Sequence, residues 1–162
     1  MLALAACDSG SREDASDAGA SPSDDASGGA SLVVGTGEKT FVALDDVAGV
    51  PLIEGPQGGY HVWIALRARE IGPRVAVAYG LRDAQSGEEL AIEGLSLPAL
   101  DLADASGGAR EFAGLRGFLS LFEAKAYVGR RVALWAIVTD DATGVTAEDE
   151  GETVVLDPIV EE

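Results

Sequence analysis

The sequence predicts an all-β fold, an antiparallel sandwich of about seven or eight strands with at most one short helical turn. Three observations predict it. Alternating apolar and polar side chains recur from Leu32 onward, the period-2 pattern of a strand with one buried face. Gly, Pro and Asp clusters break these runs at roughly 8–12-residue spacing, as they do in sandwiches. Apart from one short ambiguous run, nothing holds the 3.6-residue apolar period of an amphipathic helix.

The elements follow in order across a predicted domain of residues 32–162. Leu32–Val34, Thr40–Leu44 and Pro51–Glu54 are weak strand candidates. Tyr60–Arg69 is the best one. Val62, Ile64, Leu66 and Ala68 fall on one face, and His61, Trp63, Ala65, Arg67 and Arg69 on the other. Arg74–Asp83 repeats the pattern with Val75, Val77, Tyr79 and Leu81 on one face. Ile71-Gly72-Pro73 between them is a turn signal, so the two runs are expected to pair as a hairpin. Glu89–Glu93 is another weak candidate. Arg110–Leu119 is ambiguous, because Leu115, Phe118, Leu119 and Phe122 also have helical spacing; the reading is a strand followed by one helical turn over Leu119–Lys125. Arg131–Thr139 is a strong strand with Val132, Leu134, Ala136 and Val138 on one face. Asp140-Asp141-Ala142-Thr143-Gly144 is a hairpin turn, its Asp side chains capping local backbone donors and Gly144 taking positive φ. Val145–Ala147 and Thr153–Leu156 supply a final strand interrupted by a bulge.

The segments Tyr127-Val128-Gly129-Arg130-Arg131-Val132 and Thr139-Asp140-Asp141-Ala142-Thr143-Gly144 resemble the last two strands of bacterial immunoglobulin-like modules. That resemblance implies an immunoglobulin-like topology and says little about function. The only cysteine is Cys7, so the sandwich holds without an intramolecular disulfide and no Cys-based zinc site forms.

Residues 1–7 read Met-Leu-Ala-Leu-Ala-Ala-Cys. Leu4-Ala5-Ala6-Cys7 resembles a bacterial lipobox, an aliphatic residue and two small ones before a cysteine. The resemblance implies cleavage before Cys7 and acylation of its thiol and new amine, with several acyl chains giving stable anchoring. Six residues precede Cys7 and none is basic, so residues 1–7 read as the remnant of a signal peptide. Residues 8–31 are almost wholly Asp, Ser, Ala and Gly, with no aromatic or branched aliphatic side chain. Such a stretch cannot bury enough apolar surface to offset its ordering entropy, and it reads as a disordered tether. With the string Gly55-Pro56-Gln57-Gly58-Gly59-Tyr60-His61, the lipobox and tether resemble uncharacterised lipoproteins of GC-rich bacteria. That likeness implies a cell-envelope location, anchored to the inner or outer membrane with the domain outside the cytoplasm, and carries no known activity.

The formal net charge is −17, and the acidity runs along the whole chain. It repels phosphate backbones and anionic lipid surfaces, so nucleic acid is not an expected partner. The expected partners are the lipid bilayer, through acylated Cys7, and an unknown protein or glycan; the domain is expected to be monomeric.

No catalytic constellation stands out, and no enzyme is expected. His61 is the only histidine, which excludes any two-His metal site and a His-x-x-x-His zinc motif. A lone ligand or base remains open to it, beside the plainer role of a strand residue bonded to a neighbouring carbonyl. Gly55–Gly59 lacks the lysine of a phosphate loop and precedes a strand, so it reads as a tight connection. Gln57, Tyr60, His61 and Trp63 are the ligand candidates. Tyr60, Trp63 and Trp135 are a candidate aromatic patch, set against core packing. No cofactor is expected. Calcium is the alternative, through Asp140, Asp141 and Asp149 in the acidic last hairpin, where a solvated turn and a charged edge strand are the simpler reading.

Overall fold

The computed structural model describes residues 29–56, 59–90, 95–119 and 124–160. Ten strands run in chain order: β1 (Ser31–Thr36), β2 (Val42–Ala43), β3 (Val50–Glu54), β4 (Tyr60–Arg69), β5 (Arg74–Asp83), β6 (Leu95–Asp101), β7 (Ala103–Asp104), β8 (Arg110–Leu119), β9 (Arg131–Asp140) and β10 (Thr146–Val160). The fold is all-β, with 3-10 turns at Leu44–Asp46, Ser106–Gly108 and Ala124–Tyr127. The third overlaps the single turn expected at Leu119–Lys125; the other two are loop turns too short to show a period.

Two sheets pack face to face. In the first, β4 is central, with β8 along one edge and β1 and β3 sharing the other; β7 continues beyond β8 and β2 beyond β1. In the second, the order is β6–β5–β9–β10. Strand β10 joins the two: Thr146–Val154 pairs antiparallel with β9, and Val155–Val160 pairs parallel with β3, with a register shift between Leu156 and Pro158. The first sheet, built on β4, lies against β6–β5–β9–β10 as a β-sandwich.

The expected β4–β5 hairpin is not formed. Strand β4 pairs with β1, β3 and β8, and β5 with β6 and β9. The two strands lie in opposite sheets, with Val62, Ile64 and Leu66 facing a core shared with Val75, Val77 and Leu81. Two amphipathic strands in succession fit a hairpin or an arch across the core equally well, because each buries one face in either case. The arch is fixed by its own bonds. Glu70 takes φ 52°, the Arg110 guanidinium donates to the Ile71 carbonyl at 2.6 Å, and Gly72 N–H donates to the Asp140 carboxylate at 2.5 Å.

Three other expectations are corrected. Strand β6 sits where no strand was expected; its Pro98 is tolerated because β6 is the edge of its sheet. Glu89 makes only an isolated bridge to Arg82, and the rest of Glu89–Glu93 beyond Leu90 lies outside the described residues. The final strand is one continuous run of 15 residues, with its irregularity at the change of sheet.

The last hairpin forms as expected. Asp140 accepts from Ala142 and Thr143 N–H at 2.8 and 3.0 Å, and Gly144 takes φ 72°. The sheets meet closely at Gly117, where a Cβ would lie 2.3 Å from Leu81 Cδ1 and 3.0 Å from Ile64 Cδ1.

Candidate functional site

Register alone builds one feature on the outside of the first sheet. Ile159 pairs with Ile53, Ile53 with His61, and His61 with Phe118. Directly paired residues share a face, so these four side chains form a single row across β10, β3, β4 and β8. Its ends are open, with Ile159 52% and Phe118 41% exposed, and its middle is closed, with Ile53 and His61 at 3% and 2%.

The next positions along β4 continue the surface. Trp63 pairs with Arg116, whose guanidinium lies 5.0 Å from the indole ring. The His61 ring stands edge-on to Trp63 at 4.6 Å and tilted against Phe118 at 5.8 Å. Farther along, Arg67 bonds Glu111 at 2.6 Å and stacks over Phe41 at 4.1 Å, and Arg69 donates to the Gly107 carbonyl. Val33, paired with Arg67, and Leu156, paired with Pro51, also point outward. Four of the six exposed large hydrophobics among the described residues, Val33, Phe118, Leu156 and Ile159, therefore lie on this face. Its strands carry Arg67, Arg69 and Arg116, with Arg67 paired to Glu111.

The outer face of the second sheet differs in kind. Glu148, Glu150 and Glu152 run along β10. Arg82 reaches Glu150 at 3.0 Å and Glu89 at 3.6 Å, and Arg131 reaches Glu152 at 2.6 Å. Trp135 donates its indole N–H to Glu89 at 3.1 Å under Arg82 at 4.8 Å. A shallow depression of about 350 Å³ lies among Arg82, Trp135, Glu148 and Glu150. A wider one of about 680 Å³ lies among Asp83, Gln85, Arg130, Arg131 and Glu152. The Arg82–Glu150 pair borders the first and the Arg131–Glu152 pair the second.

The sequence candidates divide accordingly. His61 and Trp63 come together, with His61 packed inside the face. Tyr60 turns inward, 8% exposed, with Lys125 5.4 Å from its ring. Trp135 stands on the opposite outer face, so Tyr60, Trp63 and Trp135 form no common patch. Gln57 and Cys7 lie outside the described residues. Asp140, Asp141 and Asp149 do not converge. The Asp140 carboxylate takes three backbone N–H groups, from Gly72, Ala142 and Thr143, which hold its pKa below the ordinary carboxylate value. Asp141 pairs with Arg74 at 3.3 Å. Asp149 accepts from the Val34 backbone N–H at 2.7 Å, tying β10 to β1. Among the described residues no three His, Cys, Asp or Glu side chains are grouped to hold a metal ion. Phe118, Arg116 and Ile159 are the residues that sequence reasoning missed. The ambiguous period of β8 hid the first two, and Ile159 joins the row only through the parallel pairing of β10 with β3.

No protein-family model matches the chain, and no curated protein matches it.

Proposed function

We propose that this chain is an extracytoplasmic lipoprotein, anchored through acylated Cys7, whose sandwich binds a partner with the outer face of its first sheet and carries out no catalysis. The observation that carries the reading is the concentration of exposed Phe118, Ile159, Leu156 and Val33 with Trp63, Arg67 and Arg116 on one face of an otherwise acidic protein. Exposed apolar side chains gathered on one face mark interaction sites on soluble domains, and aromatic residues and Arg are enriched at protein interfaces. The aliphatic share of the strip favours a protein surface over a glycan, because Ile159, Leu156 and Val33 offer no ring on which a sugar can stack.

Two experiments test the two halves of this reading. Labelled palmitate is expected to enter the product of the full gene and to be lost in Cys7→Ser; no incorporation into the unaltered protein removes the anchor. For the face, envelope proteins are crosslinked around the chain and around the Phe118→Ser/Ile159→Ser variant. One discrete adduct, present with the first and lost with the second, supports the binding face. Identical adduct patterns remove it.

A further inference from the structure

We propose that strand β6 is a latent edge for pairing with a second copy of this chain, and that Pro98 holds it shut, so that the domain stays a single copy.

Strand β6 ends the second sheet and, among the described residues, pairs with β5 alone. An edge strand presents a row of backbone donors and acceptors that another strand can take up. Other outermost strands of the fold are blunted by their size or their charges. Strands β2 and β7 are two residues long. Strand β10, at the far end of the second sheet, exposes Glu148, Glu150 and Glu152, and its Asp149 accepts from the Val34 N–H of β1 at 2.7 Å. Strand β6 has neither protection. It runs for seven residues, and its one charged side chain, Asp101, stands at its end, 3.5 Å from Arg74.

The sequence of β6 is an alternating strand with one residue too many. Val77 pairs with Leu97 and Val75 with Leu100, so Ala76 alone faces both Pro98 and Ala99. Without Pro98 the strand would read Leu95-Ser96-Leu97-Ala99-Leu100-Asp101, with leucines on the inner face and Ser96, Ala99 and Asp101 on the outer one. Leu95 and Leu97 pack against the core and Leu100 is part of it, whereas Pro98 is exposed. The extra residue therefore adds nothing that the packing needs. It breaks the edge in two ways. A bulge bends the strand and interrupts the regular row of its backbone groups, and the proline has no N–H to offer an incoming strand.

The edge beneath this interruption is self-complementary. Antiparallel pairing about a two-fold axis sets the strand against itself. Directly paired residues share a face, so leucines meet leucines on the inner side and the small Ser96 and Ala99 meet small side chains on the outer one. The second sheets of the two copies would then join into one continuous sheet.

Sedimentation equilibrium on the full chain, made without acylation and with Cys7 kept reduced, tests this. Deletion of Pro98 is expected to tighten self-association by about tenfold or more, since each of the two copies regains one backbone hydrogen bond. Ser96→Lys in the deletion variant puts a charge on the outer row and is expected to return it to a single copy. Phe118→Ser/Ile159→Ser in the deletion variant is expected to leave the dimer intact. If the deletion variant does not fold, Pro98→Thr, which keeps the chain length and restores the N–H, takes its place with the same expectations. A folded variant that associates no more tightly than the unaltered chain overturns the inference. So does an unaltered chain that already dimerises and loses the dimer in Ser96→Lys. A variant dimer that survives Ser96→Lys, or that is lost in Phe118→Ser/Ile159→Ser, also overturns it, because the contact then lies elsewhere.

Discussion

Gly117 is the point at which the two-sheet account is most exposed to test. A methyl group there would sit 2.3 Å from Leu81 Cδ1 and 3.0 Å from Ile64 Cδ1, against a favourable carbon–carbon separation of about 3.5–4.0 Å. Leu81 is fully buried and belongs to β5 in the opposite sheet. Gly117→Ala must either drive Leu81 from its rotamer or part the sheets, and over-packing of this kind costs about 1–3 kcal/mol. Leu81→Ala alone leaves a cavity and costs about 2–5 kcal/mol. In the double variant the new methyl group enters the space that Leu81 vacates. The combined loss is expected to fall short of the sum, by about 0.5–3 kcal/mol of coupling. Urea unfolding of the four proteins measures this, with an unchanged slope showing that the same surface is exposed each time. Additivity within about 0.5 kcal/mol would refute the reasoning, because it would mean that β8 and β5 do not meet across one core.

Other predictions concern the arch, the turn and the outer face. Asp140→Asn is expected to lower stability at neutral pH and to flatten its acid dependence. The carboxylate's depressed pKa contributes stability that is present above the unfolded pKa of about 3.9 and lost as pH falls through the folded value. Parallel pH profiles of the two proteins would contradict this. Glu70→Gly should stabilise the domain by about 0.5–1 kcal/mol in thermal unfolding, since glycine takes the positive φ of Glu70 without strain. Phe118→Ser/Ile159→Ser should change stability by no more than about 1 kcal/mol in total, because both side chains are already well exposed; a larger loss would make them core residues. Millimolar calcium should leave the melting temperature unchanged relative to chelator, since Asp140, Asp141 and Asp149 are engaged elsewhere; a rise would reveal a site by linkage.

Much of the fold was legible because its long strands each bury one face. The alternation over Tyr60–Arg69, Arg74–Asp83 and Arg131–Thr139 gave strands close to β4, β5 and β9 with the expected inward residues. Alternation is silent about partners, and so β4 and β5 read as a hairpin although they face each other across the core. The bonds that decide the matter, from Arg110 and to Asp140, come from residues about 40 and 70 positions away. Pro98 hid β6 because a proline is tolerated at a sheet edge, and sequence does not mark which strand is the edge. The site was legible only in part. His61 and Trp63 stood out by rarity, but Phe118 and Ile159 become their neighbours through three separate strand pairings.

The central claim is that the outer face of the first sheet meets a partner and the outer face of the second does not. The most direct measurement places a photo-crosslinking side chain at Phe118 in one protein and at Ile137, on the opposite outer face, in another, both expressed in the native cell. A discrete adduct from position 118, with none from position 137, is the predicted result. Equal yields from both positions, or an adduct from 137 alone, would contradict the account.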